Sequence, residues 1–109
     1  MPNIKDFSEL TGRGTFEIEL SKWKSPLNIE YGYGYINSLM FFFWRVEGTT
    51  HTFKISYYEL MLDCQGDYEK HIKEFLPGFR QEYLGWVYGG LQADWMREYH
   101  EQYKNLVEI

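Results

Sequence analysis

The chain has 109 residues, a formal net charge of −5 and an aromatic content of 20%. This length predicts a single domain, 1-109, that buries a core without a structural metal, and the lone Cys64 excludes an internal disulfide. The acidic balance argues against binding of duplex nucleic acid, because proteins that bind duplexes present a basic surface. No apolar run approaches the length of a membrane span and Met1 is not followed by a signal segment, so we expect no membrane and a cytoplasmic location.

The first part of the chain is predicted to form a short helix and one strand. Ile4 to Leu10 has apolar residues at helical spacing after an asparagine that can cap a helix. Thr15 to Leu20 alternates apolar and polar residues, as a half-buried strand does. Ser21 to Asn28 contains a proline and is expected to be a loop, in which Trp23 lies partly exposed between two lysines.

The most apolar stretch, Ile29 to Val46, is predicted to form a hairpin of two strands. Ile29 to Ile36 alternates strictly, with tyrosines on one face and two glycines on the other. Leu39 to Val46 is apolar on both faces except for one arginine, which is typical of a strand covered on both sides. Asn37-Ser38 is the expected turn. The two glycines leave a flat strip, on which we expect either an aromatic side chain of the next strand or a helix to lie.

Helical patterns begin after a fourth predicted strand, His51 to Tyr57. Ser56 to Glu59 has the form of a capping box, which predicts a helix to about Cys64. A second helix is expected over Tyr68 to Leu76, with an aspartate as its cap and Pro77-Gly78 as its end.

The last third of the chain completes the predicted fold. Phe79 to Tyr88 suits a helix, although Leu84 to Tyr88 also suits a short strand. Leu91 to about Val107 separates apolar and polar residues into two arcs, which predicts a helix. The expected fold class is therefore α+β, with a four-stranded antiparallel sheet in the N-terminal half packed by C-terminal helices.

All of the excess negative charge lies in residues 56–109, which hold ten acids and five bases. Four acids of the last predicted helix recur at i, i+4, i+7 and i+14 and would form one stripe. They are Asp94, Glu98, Glu101 and Glu108. The simplest interpretation is that the carboxylates keep an aromatic-rich protein soluble.

The functional hypothesis is a non-enzymatic interaction or inhibitor protein that docks this acidic stripe on the basic surface of a partner protein. Trp23, Tyr88 and Tyr99 are the predicted aromatic anchors, because aromatic side chains dominate binding energy while acids steer the encounter. By analogy of class alone, an immunity protein or a phage counter-defence factor that mimics nucleic acid would combine these features.

A second hypothesis concerns the run Tyr-Gly-Tyr-Gly-Tyr-Ile at positions 31–36, which superficially resembles the aromatic strand of RNA-recognition modules. The resemblance is partial, since Tyr31 stands where the module has a basic residue and Ser38 where it has an aromatic one. The module also needs a helix between its first two strands, for which this chain has no room. The resemblance implies that Tyr31, Tyr33 and Tyr35 bind nucleic acid, a nucleotide or a small aromatic ligand; half-buried sheet tyrosines are the structural alternative.

Catalytic and metal-binding motifs are absent from the sequence, so no catalytic residue, metal or cofactor is predicted. His51, His71 and His100 have no ligand spacing, and there is no second cysteine. Cys64 is expected to be a buried inert thiol, because thiolates are favoured at helix N-termini rather than C-termini. An enzyme assembled from distant residues is a third alternative, and a homodimer through an edge strand such as Thr15 to Leu20 is also open.

Overall fold

A computed structural model describes residues 7–24 and 26–109 and shows an α+β fold. After a 3-10 turn at Phe7–Glu9, four strands form one antiparallel sheet in the order β1-β2-β3-β4. The strands are β1 (Thr11–Ile18), β2 (Leu27–Ile36), β3 (Leu39–Val46) and β4 (Phe53–Ser56). The helices are α1 (Tyr57–Cys64), α2 (Tyr68–Tyr88) and α3 (Asp94–Tyr103). The predicted fold class is confirmed.

The main core lies between one face of the sheet and the buried stripe of α2. On the sheet, Ile29, Trp44 and Val46 are almost completely buried, and on α2 the i, i+4 pair Ile72 and Leu76 is inaccessible to solvent. Removal of these side chains from water is the main stabilising contribution. The core therefore identifies the face that the helices cover, which the sequence pattern leaves open.

The opposite face of the sheet carries the flat strip at Gly32 and Gly34. A Cβ atom at Gly32 would lie 2.8 Å from Leu10 Cβ, and one at Gly34 would lie 3.3 Å from Leu10 Cδ2 and 3.5 Å from Phe43 Cε2. Leu10 follows directly after the 3-10 turn Phe7–Glu9. The strip therefore accommodates a leucine from the N-terminal turn and an aromatic ring of the next strand, rather than a helix.

Alanine substitutions at Gly78 and Gly32 are expected to have opposite effects on stability. A Cβ at Gly78, inside α2, would meet no atom within 4 Å. Gly78→Ala should therefore raise the free energy of unfolding by about 1 kcal/mol, because alanine loses less conformational freedom in a helix. Gly32→Ala should lower the free energy of unfolding, since its methyl group would overlap Leu10. Chemical unfolding of both variants beside the parent measures the two shifts, and shifts of the same sign would contradict this packing.

The continuity of α2 corrects the prediction that Pro77-Gly78 ends a helix. Proline in a helix interior removes one hydrogen bond and costs about 3 kcal/mol. Pro77 is exposed, however, while Leu76 and Phe79 are buried against the core on the other side of α2. Burial of this stripe outweighs the local cost. The alternative of a short strand at Leu84 to Tyr88 is wrong for the same reason.

The N-terminal predictions are only partly comparable with the structure. The predicted helix Ile4 to Leu10 lies partly outside the described residues, and its described part contains the 3-10 turn Phe7–Glu9. β1 begins at Thr11, four residues before the predicted strand, and its pairing with β2 shifts register between Thr11 and Gly14. This β-bulge at a glycine pair obscures the alternation on which the prediction of strand limits depends.

The last helix is shorter than the predicted Leu91 to Val107, because the chain leaves the helix after Tyr103 and runs beside Trp23. Trp23 and Val107 form an isolated antiparallel bridge and are both buried. Two backbone hydrogen bonds flank the bridge: Lys24 N–H to Leu106 O (2.7 Å) and Glu108 N–H to Lys22 O (3.0 Å). The prediction that Trp23 is partly exposed is therefore wrong, since only 3% of its surface is accessible.

Candidate partner-binding surface

The predicted acidic stripe does not form one continuous negative face. Two of its four carboxylates lie in ion pairs with bases of the same helix region. The pairs are Asp94–Arg97 and Glu101–Lys104. Glu108 lies beyond the end of α3, so it does not continue the helical spacing. Among the residues that the structure describes, Glu98 is the one member of the stripe on the helix without an ion-pair partner.

The three predicted aromatic anchors occupy different environments. Trp23 is buried, as described above. Tyr99 is half-buried, and its ring stacks on His51 with 3.7 Å between the ring centroids. Tyr88, at the end of α2, is 73% exposed. Of the three, Tyr88 alone is available as an exposed anchor.

The clearest exposed apolar feature of the described chain lies on α1. The buried side of this helix consists of Leu60 and Cys64, spaced i, i+4, which pack with Ile55 of β4. The remaining sides carry large apolar side chains where a surface helix normally carries polar ones. They are Tyr57, Tyr58, Met61 and Leu62, with exposed fractions of 44%, 71%, 43% and 65%. Clusters of this kind on small proteins are typical of interaction sites.

Aromatic side chains of the β2–β3 hairpin, half-buried at Tyr33 and Phe42 and exposed at Tyr35, continue from this region across the sheet. The ring centroid of Phe42 lies 6.0 Å from that of Tyr57 and 6.2 Å from that of Tyr33. Tyr33 lies 6.5 Å from Tyr35, which is 67% exposed. We refer to the combined region as the aromatic surface. It comprises Tyr33, Tyr35, Phe42, Tyr57, Tyr58, Met61 and Leu62.

Tyr68, the first residue of α2, forms the inner border of the aromatic surface. Its ring centroid lies 4.8 Å from that of Phe42 and 4.9 Å from that of Tyr31. Burial raises the pKa of Tyr68 well above its usual value, because a phenolate would lose its hydration there. The hydroxyl therefore stays neutral at physiological pH, and the border of the surface carries no charge from this group.

Two glycines of β1 hold the inner sheet tyrosines flat. A Cβ at Gly14 would lie 2.5 Å from Tyr31 Oη, and one at Gly12 would lie 2.8 Å from Tyr33 Cε1. The rings of Tyr31 and Tyr33 therefore lie over the β1 backbone, on the face that the helices cover. Of the three tyrosines predicted to stack on a ligand, only Tyr35 is largely exposed. The arrangement favours packing for Tyr31 and Tyr33 over a three-ring stacking platform.

Negative charge borders the exposed side of α1. Residues 56–76 hold five acids and two bases. The acids are Glu59, Asp63, Asp67, Glu69 and Glu74, and the bases are Lys70 and Lys73. Glu69 pairs with Lys73 at 2.8 Å, whereas Asp63, Asp67 and Glu59 make no ion pair with other described residues. The region thus combines exposed apolar side chains with a net charge that is negative.

Two of these acids also fix the ends of the helices. The Glu59 N–H donates to Ser56 Oγ at 3.1 Å, so Ser56 caps α1 as predicted, and the Ser56 hydroxyl in turn donates to Glu59 Oε1 at 3.2 Å. Asp67 Oδ1 accepts hydrogen bonds from the first N–H groups of α2. These caps satisfy free N–H groups in the first turns of α1 and α2, while the packing of Leu60 and Cys64 on Ile55 determines which side of α1 is exposed.

The histidines take part in packing and local hydrogen bonds. His100 Nδ1 lies 2.8 Å from Tyr83 Oη, and the His71 ring meets Trp44 edge-on at 6.0 Å. Burial lowers the pKa values of His51 and His71 despite nearby carboxylates, because the charged imidazolium is less well solvated. Within residues 7–24 and 26–109, no group of three His, Cys, Asp or Glu side chains is placed to hold a metal ion.

Cys64 lies at the last position of α1 and is buried, as the sequence predicts. Its Sγ lies 3.9 Å from Glu74 Oε1. Burial, together with the negative charge of Glu74, raises the pKa of the Cys64 thiol. The thiol is therefore protonated at neutral pH, which lowers its nucleophilicity.

Sequence reasoning missed the aromatic surface although its signal was present. At helical spacing, Tyr57, Tyr58, Leu60, Met61 and Leu62 cover more than half of the circumference of a short helix, and Glu59 and Asp63 occupy the rest. A helix of this kind buries one side and must expose another unless it is enclosed. No helix among the described residues is both long and apolar enough to span a membrane. No family model, curated protein or solved structure matches this chain, so its function is inferred from the surface itself.

Proposed function

We propose that the protein is a non-enzymatic interaction protein that binds a partner protein through the aromatic surface. The observation that carries this proposal is the exposure of Tyr58 and Leu62 on the side of α1 opposite to the buried Leu60 and Cys64. Burial of apolar area in a complex stabilises it by about 25 cal/mol per Å². A few large side chains near the centre of an interface, often tyrosine or tryptophan, supply most of the binding energy.

The chemistry of the surface favours a partner with an apolar pocket and basic residues around it. Glu59 and Asp63 on α1 and Asp67 at the start of α2 are exposed and make no ion pair with described residues. Such carboxylates accelerate the encounter with a basic protein and orient it. The stripe on α3 is less suited to this role, because Arg97 and Lys104 offset the charges of Asp94 and Glu101.

Inhibition is one form that this interaction would take. Some partners bind nucleic acid through a basic surface. If this protein docked its aromatic surface on that basic surface, the partner could no longer bind nucleic acid. Immunity proteins and phage counter-defence factors act in this general way, and the assignment to either class is part of the proposal.

Site-specific photo-crosslinking in the cells that naturally produce the protein tests the proposed surface. A photoreactive phenylalanine analogue in place of Tyr58 or Leu62 is expected to yield a discrete covalent adduct with one protein. The same analogue in place of Glu98 or Glu101 is expected to yield no adduct, because α3 lies outside the proposed surface.

A second substitution in the same chain provides the control for this experiment. Leu62→Asp should abolish the adduct formed from position 58, since it places a charge at the centre of the apolar contact. Adducts from positions 98 and 101, with none from 58 or 62, would show that α3 is the docking element and that the aromatic surface is not.

A further inference from the structure

The end of the β2–β3 hairpin projects beyond the two strands that flank it. The pairing of β1 with β2 ends at Tyr33, and the pairing of β4 with β3 ends at Phe41. Residues 35–40, which we call the hairpin tip, therefore pair only with each other among the described strands. At about 3.3 Å per residue, the turn of the hairpin lies roughly 10 Å beyond Phe41.

Both faces of the hairpin tip carry apolar side chains. Tyr35, which is 67% exposed, shares with Met40 the face that α2 covers elsewhere in the sheet. Leu39, which is 63% exposed, shares the opposite face with Ile36. Residues 31–44 contain no charged residue. A strand face that is in contact with water normally carries polar side chains, so the tip exposes apolar area that the fold itself does not use.

The two-residue turn continues the strand pairing to the end of the hairpin. Asn37 and Ser38 have φ values of 51° and 69°, and positive φ at both central residues is what a type I′ turn requires. The twist of this turn matches that of the strands it joins. A tip that is ordered before binding loses little conformational freedom when it is enclosed, which favours its use as an inserted element.

We propose that the hairpin tip inserts into an apolar cleft of the partner protein that the aromatic surface contacts. This inference rests on the proposed function. A flat partner surface would cover one face of the tip, whereas the walls of a cleft cover both. Tyr35 belongs to the aromatic surface and lies 6.5 Å from Tyr33, which lies 6.2 Å from Phe42. The tip and α1 are therefore joined by one continuous row of rings, along which a single partner contacts both.

A lipid bilayer would also enclose both faces of a projecting apolar tip, but the neighbouring charges disfavour it. Membrane surfaces rich in anionic lipids attract basic segments. The hairpin tip has no basic residue, and Glu59 and Asp63 on α1 make no ion pair with described residues. The charges therefore favour a protein cleft over a bilayer, and attachment to lipid is an outcome that the test distinguishes.

Photo-crosslinking from the face of the hairpin tip opposite to Tyr35 tests the insertion. In the cells that naturally produce the protein, a photoreactive phenylalanine analogue at Leu39 should form an adduct with the same protein as the analogue at Leu62. A partner that only lay flat on the aromatic surface would not reach Leu39. The analogue at Thr15, an exposed residue of β1 on the same face of the sheet as Leu39, should form no adduct.

Two serine variants measure the contribution of the hairpin tip to partner binding. Leu39→Ser should weaken binding of the crosslinked partner about tenfold or more, because it removes an apolar contact from an enclosed site. Ile109→Ser is the matched control, since Ile109 is similarly exposed, at 61%, and lies outside both the hairpin tip and the aromatic surface. This control should bind the partner as tightly as the parent protein does.

The outcomes separate the insertion from the proposed function. An adduct from position 62 with none from position 39, or parental binding by Leu39→Ser, would overturn the insertion and leave docking through α1 intact. An adduct with a protein from position 39, with none from positions 58 and 62, would support insertion of the tip and contradict docking through α1. An adduct of position 39 with lipid in place of protein would overturn the proposal in favour of a bilayer.

Discussion

Trp44→Ala is expected to lower the free energy of unfolding by about 3–5 kcal/mol, which is a large share of the total stability of a small domain. Trp44 lies on the central strand β3 and has no accessible surface. Its ring stacks on Phe53 at 4.6 Å and meets Phe75 of α2 edge-on at 5.5 Å. The substitution therefore removes the side chain that joins the sheet to α2 and leaves a cavity there. Urea unfolding followed by circular dichroism measures the loss.

Trp95→Ala is the matched control for this experiment. Trp95 lies on α3, is half exposed and contacts Trp86 with 5.0 Å between ring centroids. Removal of this ring should cost less than about 1 kcal/mol, because much of its surface is already in contact with water. Equal losses from the two tryptophans would contradict the placement of the core between the sheet and α2.

The sheet could be predicted from the sequence because its signals are local. The two central strands are predicted with limits that differ from the observed ones by at most two residues. The signals are the strict alternation over Ile29 to Ile36 and the apolar run Leu39 to Val46. Which face the helices cover could not be predicted in the same way. β3 carries aromatic residues on both faces, with Phe43 on one and Trp44 on the other, and both are buried. Only the packing of α2 and of Leu10 distinguishes these faces.

The errors arise where a distant part of the chain decides the local structure. Trp23 is flanked by lysines, which suggests exposure, yet the segment around Val107 pairs with it and buries it. Pro77 is a strong local signal for the end of a helix, yet the buried stripe on the other side of α2 maintains the helix through it. Neither contact leaves a pattern in the nearby sequence.

The charge of the candidate site could also be predicted only in part. Helical spacing correctly places Asp94, Glu98 and Glu101 on α3, but spacing alone does not reveal which side chains turn toward a base. Arg97 and Lys104 pair with two of these three acids. Such exposed pairs contribute little to stability, but they reduce the negative field that a partner would meet.

The double variant Tyr58→Ser/Leu62→Ser is expected to weaken partner binding by about 100-fold or more, equivalent to roughly 3 kcal/mol, because both side chains anchor the aromatic surface. The fold should be retained, since both residues are exposed and make no core contact in the free protein. A free energy of unfolding within about 0.5 kcal/mol of the parent's would show that the loss of binding does not come from unfolding.

Calorimetric titration of the partner identified by crosslinking, into the parent and two double variants, tests the docking surface most directly. Saturable binding by the parent, loss of binding by Tyr58→Ser/Leu62→Ser and near-parental binding by Glu98→Lys/Glu101→Lys are the results expected for docking through the aromatic surface. Undiminished binding by the serine variant, with loss in the lysine variant, would place the contact on α3 and contradict it.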